Sequence, residues 1–188
     1  MDYFFEQTYK QVNAREHKLP MAEYEQCVFQ NCDFSAADLN RFKFIDCRFI
    51  DCNLSMATLA DTVMNKVIFE RCKLLGLHWF QCDRFMFAVW FKECNLANGS
   101  FYNFNIKKTY FEGCDLKEVD FSGADMTECK LKACDLANAL FDNTNLVKAD
   151  LSTAFNFSIN PNLNKLKGTQ FSRDNISGLL DVFQIKIV

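Results

Sequence analysis

Ten cysteines and two histidines are the side chains in this sequence with the widest chemical repertoire, and their spacing decides what they can do. Cys32, Cys52, Cys72, Cys94, Cys114 and Cys134 recur at steps of 20, 20, 22, 20 and 20 residues. A metal site needs about four ligands converging on one point. One thiol per 20 residues instead describes a column, with one sulfur on each turn of a repeating structure. The column therefore predicts small, soft interior fillers and neither a metal centre nor a redox relay. Cys82 lies off this column, in a stretch where the repeat lapses, and is the one thiol expected to be exposed. His17 and His78 are far apart, and His78 falls at an outward position. There is no HExxH, no Gly-rich phosphate loop and no Ser/His/Asp grouping, so no enzyme activity, metal or cofactor is expected.

The element that spaces the cysteines has a period of five. In CDLANALFDNTNLVKADL (134–151), Leu136, Phe141, Leu146 and Leu151 each follow a small residue by two places. Helices repeat apolar residues every 3.6 positions and strands every second one, so neither explains the pattern. The same centres run from Tyr24 through Phe29, Phe34 and Leu39 to Trp79, and resume at Phe91. Four five-residue sides per turn, each turning two side chains inward, make a square solenoid whose turns pair at strand spacing. The predicted class is an all-β solenoid over residues 22–153. The 22-residue step pushes a loop out of one face at about 80–89, because strict register there would turn Arg84 inward.

The ends read differently. Residues 1–21 hold no clear repeat and are expected to cap the first turn. After Leu151 the period fails, and 154–188 predict a short helix followed by a strand. Ser172 or Asp174 caps that helix, Ile176, Leu179, Leu180 and Phe183 share one stripe, and Ile185 and Ile187 alternate as in a half-buried strand. Such a segment serves equally as a lid over the last turn or as a twofold dimer seam.

Composition narrows the classes further. An apolar fraction of 49 % with 21 phenylalanines excludes a disordered chain. The N-terminus lacks a signal-peptide pattern, and the run FMFAVWF (85–91) is too short for a bilayer, so a cytoplasmic protein with reduced cysteines and no membrane partner is expected. A net charge of −3 argues against direct nucleic-acid binding. The charge is also uneven. Residues 22–111 carry ten acids and ten bases. Residues 112–151 carry Glu112, Asp115, Glu118, Asp120, Asp125, Glu128, Asp135, Asp142 and Asp150 against four lysines. A rod acidic in this region could occupy a basic groove built for duplex DNA.

The repeat over residues 22–153 resembles the pentapeptide-repeat family, with its A(D/N)LXX motif, and the resemblance implies a right-handed quadrilateral β-helix. The tail, with Pro161, Leu166, Leu179, Leu180, Ile185 and Ile187, resembles that of the Qnr, MfpA and McbG subgroup. This implies a homodimer joined through the C-terminus that binds DNA gyrase or topoisomerase IV and protects it from quinolones or peptide toxins. It also implies that the loop touches the enzyme, through Gln81, Asp83, Arg84, Phe85 and Phe87. The alternative is a stiff scaffold or regulatory module for an unrelated partner. A third option is a DNA mimic that inhibits another DNA-binding enzyme.

Overall fold

The computed structural model describes residues 2–17 and 19–186. Its strands are β1 (Asp2–Phe5), β2 (Thr8–Lys10), β3 (Ala22–Glu25), β4 (Val28–Gln30), β5 (Lys43–Ile45), β6 (Arg48–Ile50), β7 (Val63–Glu70), β8 (Ala88–Lys92), β9 (Tyr110–Glu112) and β10 (Lys130–Lys132). All pairings are parallel, and residues one turn apart face each other, as in Asp2↔Ala22, Val28↔Arg48 and Lys43↔Val63. The chain is a four-sided parallel β-solenoid. The column Asn13, Asp33, Asn53, Lys73, Asn95, Asp115, Asp135 and Phe155 is bridged without a gap, a span of roughly 34 Å at strand spacing.

Each five-residue side is made by the same local chemistry. The apolar centre and the small residue two places before it point inward, as with Cys32 and Phe34 or Cys52 and Leu54, all fully buried. The residue two places after the centre takes a left-handed conformation, as at Asn31 (φ 54°), Asn98 (58°), Glu118 (57°) and Asn138 (58°). That geometry costs an L-residue about 1–2 kcal/mol, least for Asn and Asp. Two bonds offset it. The left-handed N–H donates to the next turn, as from Asn98 to the Lys117 carbonyl at 3.0 Å. On many sides the centre's carbonyl also accepts the N–H three residues on, as from Ala57 to Leu54 at 3.0 Å, closing a type II turn. The residue before the centre, so often Asp or Asn, locks the corner through its side chain. Asp115 Oδ1 accepts the Lys117 N–H at 3.1 Å, and Asn53 Oδ1 that of Ser55 at 3.1 Å.

The inward small position also has a polar duty. Thr62 donates its hydroxyl to the Leu39 carbonyl at 2.8 Å, and Thr144 to that of Phe121 at 2.9 Å. Cysteine thiols do the same, Cys47 to the Tyr24 carbonyl at 3.2 Å and Cys72 to that of Phe49 at 3.3 Å. Cysteine is thus a compact donor as well as a filler. The larger centres stack along the axis: Phe29 on Phe49 at 4.6 Å, Phe49 on Phe69 at 4.9 Å and Phe91 on Phe111 at 5.0 Å.

The register reaches further than the sequence pattern suggests. β1 and β2 pair with β3 and β4, so Phe4 and Tyr9 continue the centres of the first two faces. The pattern is hidden because Asp2 and Gln7 occupy the positions where a small residue is usual. Past Leu151, Asn145↔Lys165 and Asp150↔Gln170 extend the ladder. There a buried Asn164 replaces Cys or Ala, its Nδ2 donating to Phe141 and Asn160 carbonyls and its Oδ1 accepting the Thr144 N–H. In place of one short helix the tail forms two 3-10 turns, Ile176–Leu179 and Asp181–Phe183, and Ile185 is not in a strand. Asp174 and Ser172 precede them, but the segment is too short and too tightly pinned for an α-helical stripe. Asn175 Nδ2 donates to the Leu151 and Ala154 carbonyls at 2.9 Å each, and Gly178 lies so close to Phe157 that a Cβ would collide with its carbonyl. Ile187 lies outside the described residues.

Phe69 sits at the middle of the aromatic stack, against Phe49, Trp79 and Phe91. Phe69→Ala is expected to destabilise the protein by about 3–5 kcal/mol, read from urea unfolding with circular dichroism.

Candidate functional site

The loop begins later and ends sooner than its sequence indicates. A 3-10 turn over Trp79–Gln81 continues the wall, Cys82 N–H donates to the Trp79 carbonyl at 3.0 Å, and Asp83 N–H donates to Thr62 at 3.0 Å. Register therefore holds through Asp83, and Cys82 points inward with 3 % exposure. The expectation that Cys82 is exposed is incorrect, because it fills the same inward small position as Thr62 one turn before. Burial pushes its thiol pKa up, and burial holds the Cys47 thiol up at about 12. Arg84–Phe87 leave the wall, and Ala88 rejoins it opposite Asn65, where the ladder shifts register.

Asp83 shapes the projection. Its Oδ1 accepts the N–H groups of Phe85 at 2.9 Å and Met86 at 3.0 Å. Phe85 is 97 % exposed at the tip, and Met86 and Arg84 are exposed beside it. Phe87 turns back as an anchor, with its ring 4.9 Å from Phe104 and 6.2 Å from Trp79. It takes the inward role that strict register would give Arg84, whose guanidinium lies 6.0 Å from the Phe104 ring. Gln81 is exposed at the corner before the loop. The five residues singled out by sequence thus divide: Phe85 and Arg84 project, Asp83 and Phe87 position them, and Gln81 flanks them. Trp90 and Tyr102 are partly exposed aromatics on nearby rungs. They carry no period-breaking signal, so the sequence pattern does not pick them out.

The nine carboxylates form a belt around the rod instead of one acidic face. Five stand within ion-pair distance of lysine: Glu112 with Lys132 (2.6 Å), Asp115 and Asp135 with Lys117 (3.7 and 3.2 Å), Asp125 with Lys107 (3.1 Å) and Glu128 with Lys108 (3.8 Å). Glu118, Asp120, Asp142 and Asp150 form no ion pair among the described residues. Asp115, Asp120, Asp125, Asp135 and Asp150 also lock corners through their Oδ1 atoms. The bond from Lys132 holds the Glu112 carboxyl below its usual range, and the hydroxyl and N–H of Ser152 do so for Asp150.

At the C-terminal end the expected seam residues split. Leu179 packs against the core and Leu180 is half-buried, whereas Ile176, Phe183 and Ile185 are exposed. Leu140, Phe155, Leu163 and Val182 are further exposed apolar side chains in this part of the chain. Phe155 lines a cleft of about 450 Å³ with Ser177 and Asp181. No cluster of three or more His, Cys, Asp or Glu among the described residues could hold a metal ion, and no described helix is long and apolar enough to cross a membrane.

A family model described as pentapeptide repeat region matches residues 22–84, and one described as pentapeptide repeats (8 copies) matches 91–132 and 120–155. The chain belongs to the pentapeptide-repeat family. The gap between the two matches, residues 85–90, takes in the loop tip and the start of β8. Among solved pentapeptide-repeat structures, a trypsin-treated form of QnrB1, described as a plasmid-mediated fluoroquinolone resistance protein, aligns with a TM-score of 0.64. The two are 18 % identical over 99 % of this chain and 98 % of that one. A second trypsin-treated QnrB1 structure gives 0.50, with 20 % identity over 99 % and 97 %. At such identities the likeness carries the fold. Curated protein sequences give no match.

Two outcomes test this geometry. All ten buried thiols should resist an aromatic disulfide reagent at pH 8 until the pentapeptide-repeat solenoid is unfolded. For pH, the depressed folded pKa of Asp150 means that its stabilisation is complete above the ordinary carboxylate range near 4. It is then lost as pH falls through the lower folded value. Asp150→Asn keeps the corner bond but removes the titration, so its unfolding free energy should fall less steeply than the parent's between pH 5 and pH 2.

Proposed function

We propose that this protein binds a bacterial type II topoisomerase, DNA gyrase or topoisomerase IV, and protects it from quinolones or topoisomerase-directed toxins. Phe85 carries the reading. A nearly fully exposed aromatic, held at a loop tip by two backbone bonds to Asp83, has no role in the solenoid's own packing. Exposed aromatic side chains that become buried on binding commonly dominate an interface. Full-length likeness to a fluoroquinolone resistance protein supports the choice of partner class. The four carboxylates without lysine partners supply a complementary negative surface for a basic groove.

The ion pairing of the other five acids weakens pure DNA mimicry and favours the loop as the main contact. It is also the observation that supports the second reading, a rigid display rod for an unrelated protein partner. On the leading reading two chains join through Ile176, Phe183 and Ile185 at the C-terminal end, with Leu179 and Leu180 supporting them from beneath.

The experiment is gyrase supercoiling in the presence of a quinolone, with and without the protein. Rescue of supercoiling is expected, and Phe85→Ala should raise the concentration needed at least tenfold while leaving the melting temperature unchanged. Absence of both binding and rescue, together with recovery of another protein by pull-down, would favour the second reading. Separately, Phe183→Asp should convert a dimer to a monomer by sedimentation; an unchanged dimer would place the seam elsewhere.

A further inference from the structure

The second face of the solenoid is built on the inward centres Phe29, Phe49, Phe69, Phe91 and Phe111. β2, β4, β6, β7, β8, β9 and β10 pair along it in that order, so its wall is a continuous parallel sheet. The residue before each centre points outward, and in register these are Val28, Arg48, Ile68, Trp90, Tyr110 and Lys130. Ile68, Trp90 and Tyr110 therefore stand side by side on adjacent strands, about 4.8 Å apart. Ile50 lies diagonally beside Ile68, in the neighbouring outward column. Trp90 is 38 % exposed, and Ile50, Ile68 and Tyr110 are half-buried. The inner side of the same strands is already filled by the stack of Phe69, Phe91 and Phe111. The solenoid's own packing thus gives no reason for large apolar groups on the outside, and a contiguous exposed patch of them marks a contact surface.

The charged side chains beside this strip neutralise one another. Glu70 meets Arg48 at 3.5 Å, Lys92 at 3.6 Å and also Arg71. Arg71 in turn meets Asp51 at 2.8 Å, and Glu112 meets Lys132 at 2.6 Å. Lys130, beyond Tyr110, stands opposite Asp150 on the next turn. A charged partner would have to break these pairs, whereas an apolar one leaves them as a polar rim. The loop edge is different. Trp90 follows Ala88, where the loop rejoins the wall, by two residues. Arg84 of that loop has no carboxylate within ion-pair distance among the described residues. The strip is thus apolar along its length, neutral at its flanks and positive at the side from which Phe85 projects.

We propose that this strip receives an amphipathic helix of the topoisomerase, laid along the rod axis, with its apolar face on Ile68, Trp90 and Tyr110 and a carboxylate at Arg84. The spacings agree. A helix advances about 5.4 Å per turn and the rungs lie about 4.8 Å apart, so apolar residues at i, i+4 and i+7 each meet one outward side chain. A strand fits less well, because β7, β8 and β9 are each paired on both sides and offer no free edge to template one. Trp and Tyr are the side chains that most often dominate such contacts. The inference rests on the topoisomerase reading and extends its contact from the loop tip to the wall beside it.

The test measures binding of the full chain to DNA gyrase and to topoisomerase IV by biolayer interferometry, with rescue of supercoiling from a quinolone run in parallel. Trp90→Ser and Tyr110→Ser, both at outward positions, should each weaken binding at least tenfold with an unchanged circular-dichroism melt. Arg84→Glu should do the same, and Arg84→Lys should not. Tyr102→Ser removes an exposed aromatic from another face and should leave the affinity within about twofold of the parent. On irradiation, a Tyr110→p-benzoylphenylalanine chain should crosslink to a helical segment of the enzyme. Undiminished binding and rescue by Trp90→Ser and Tyr110→Ser overturns this inference and leaves the topoisomerase reading standing. So does binding that ignores Arg84→Glu, an equal loss in Tyr102→Ser, or a crosslink to a loop or strand of the enzyme. Absence of binding by the parent chain to either enzyme overturns both readings together. If sedimentation shows that Trp90→Ser abolishes self-association of the chain, a second copy covers the strip and the inference fails.

Discussion

Everything in this molecule depends on the left-handed corner. Almost every five-residue side turns because the residue two places after its centre accepts a positive φ, Gln81 in its 3-10 turn being an exception, and the chain pays about 1–2 kcal/mol for it at many positions. The cost is met by making the strained N–H a ladder donor and by locking the corner with an Asp or Asn side chain. Without the corner bonds the inward side chains would have no common register and the aromatic stacks would not form. The same constraint accounts for much of the acidic surface. Five of the nine carboxylates between Glu112 and Asp150 are there to close turns, whatever else they later contact.

The inward positions follow from the space that the corners leave. Each layer holds four large and four small side chains, and the small ones sit under a carbonyl from the turn before. Threonine, cysteine and, near the end, asparagine answer that carbonyl with a donor, while alanine and valine leave it to the ladder. This is how the chain accommodates ten cysteines as buried free thiols.

Much of this architecture is legible in the sequence, because a period of five has few physical solutions. The centres from Tyr24 to Leu151 and the inward cysteine column can be placed from residue types alone. The ends are not legible in the same way. Asp2 and Gln7 disguise the first turn, and Asn164 disguises the last, because hydrogen bonding or an exposed edge satisfies a polar residue where the pattern looks for a small apolar one. Cys82 is hidden for a related reason: register persists through a corner whose centre has been replaced, and backbone bonds such as that from Asp83 to Thr62 reveal it. Ion pairs across rungs are also beyond the pattern. Lys107 meets Asp125 and Lys117 meets Asp135 because residues near 20 apart become neighbours, and counting charges along the chain does not see this. The tail's apolar stripe is visible in the sequence, but the pinning by Asn175 that makes it 3-10 is not.

The Arg84–Phe87 loop, which absorbs the two extra residues of its turn, has a consequence for how such a protein changes. Its two stems are fastened to the preceding turn, Asp83 to Thr62 before it and Ala88 opposite Asn65 after it, and Phe87 plugs the wall between them. The rod is therefore insulated from whatever the loop contains. Lengthening a flexible loop costs only about 0.6 kcal/mol per doubling, whereas a single misplaced residue within a side breaks a corner, a stack and two ladder bonds at once. Variation is thus free where the chain leaves the wall and forbidden where it stays, and a lineage built on this frame can exchange recognition elements at that one socket while its scaffold remains the same.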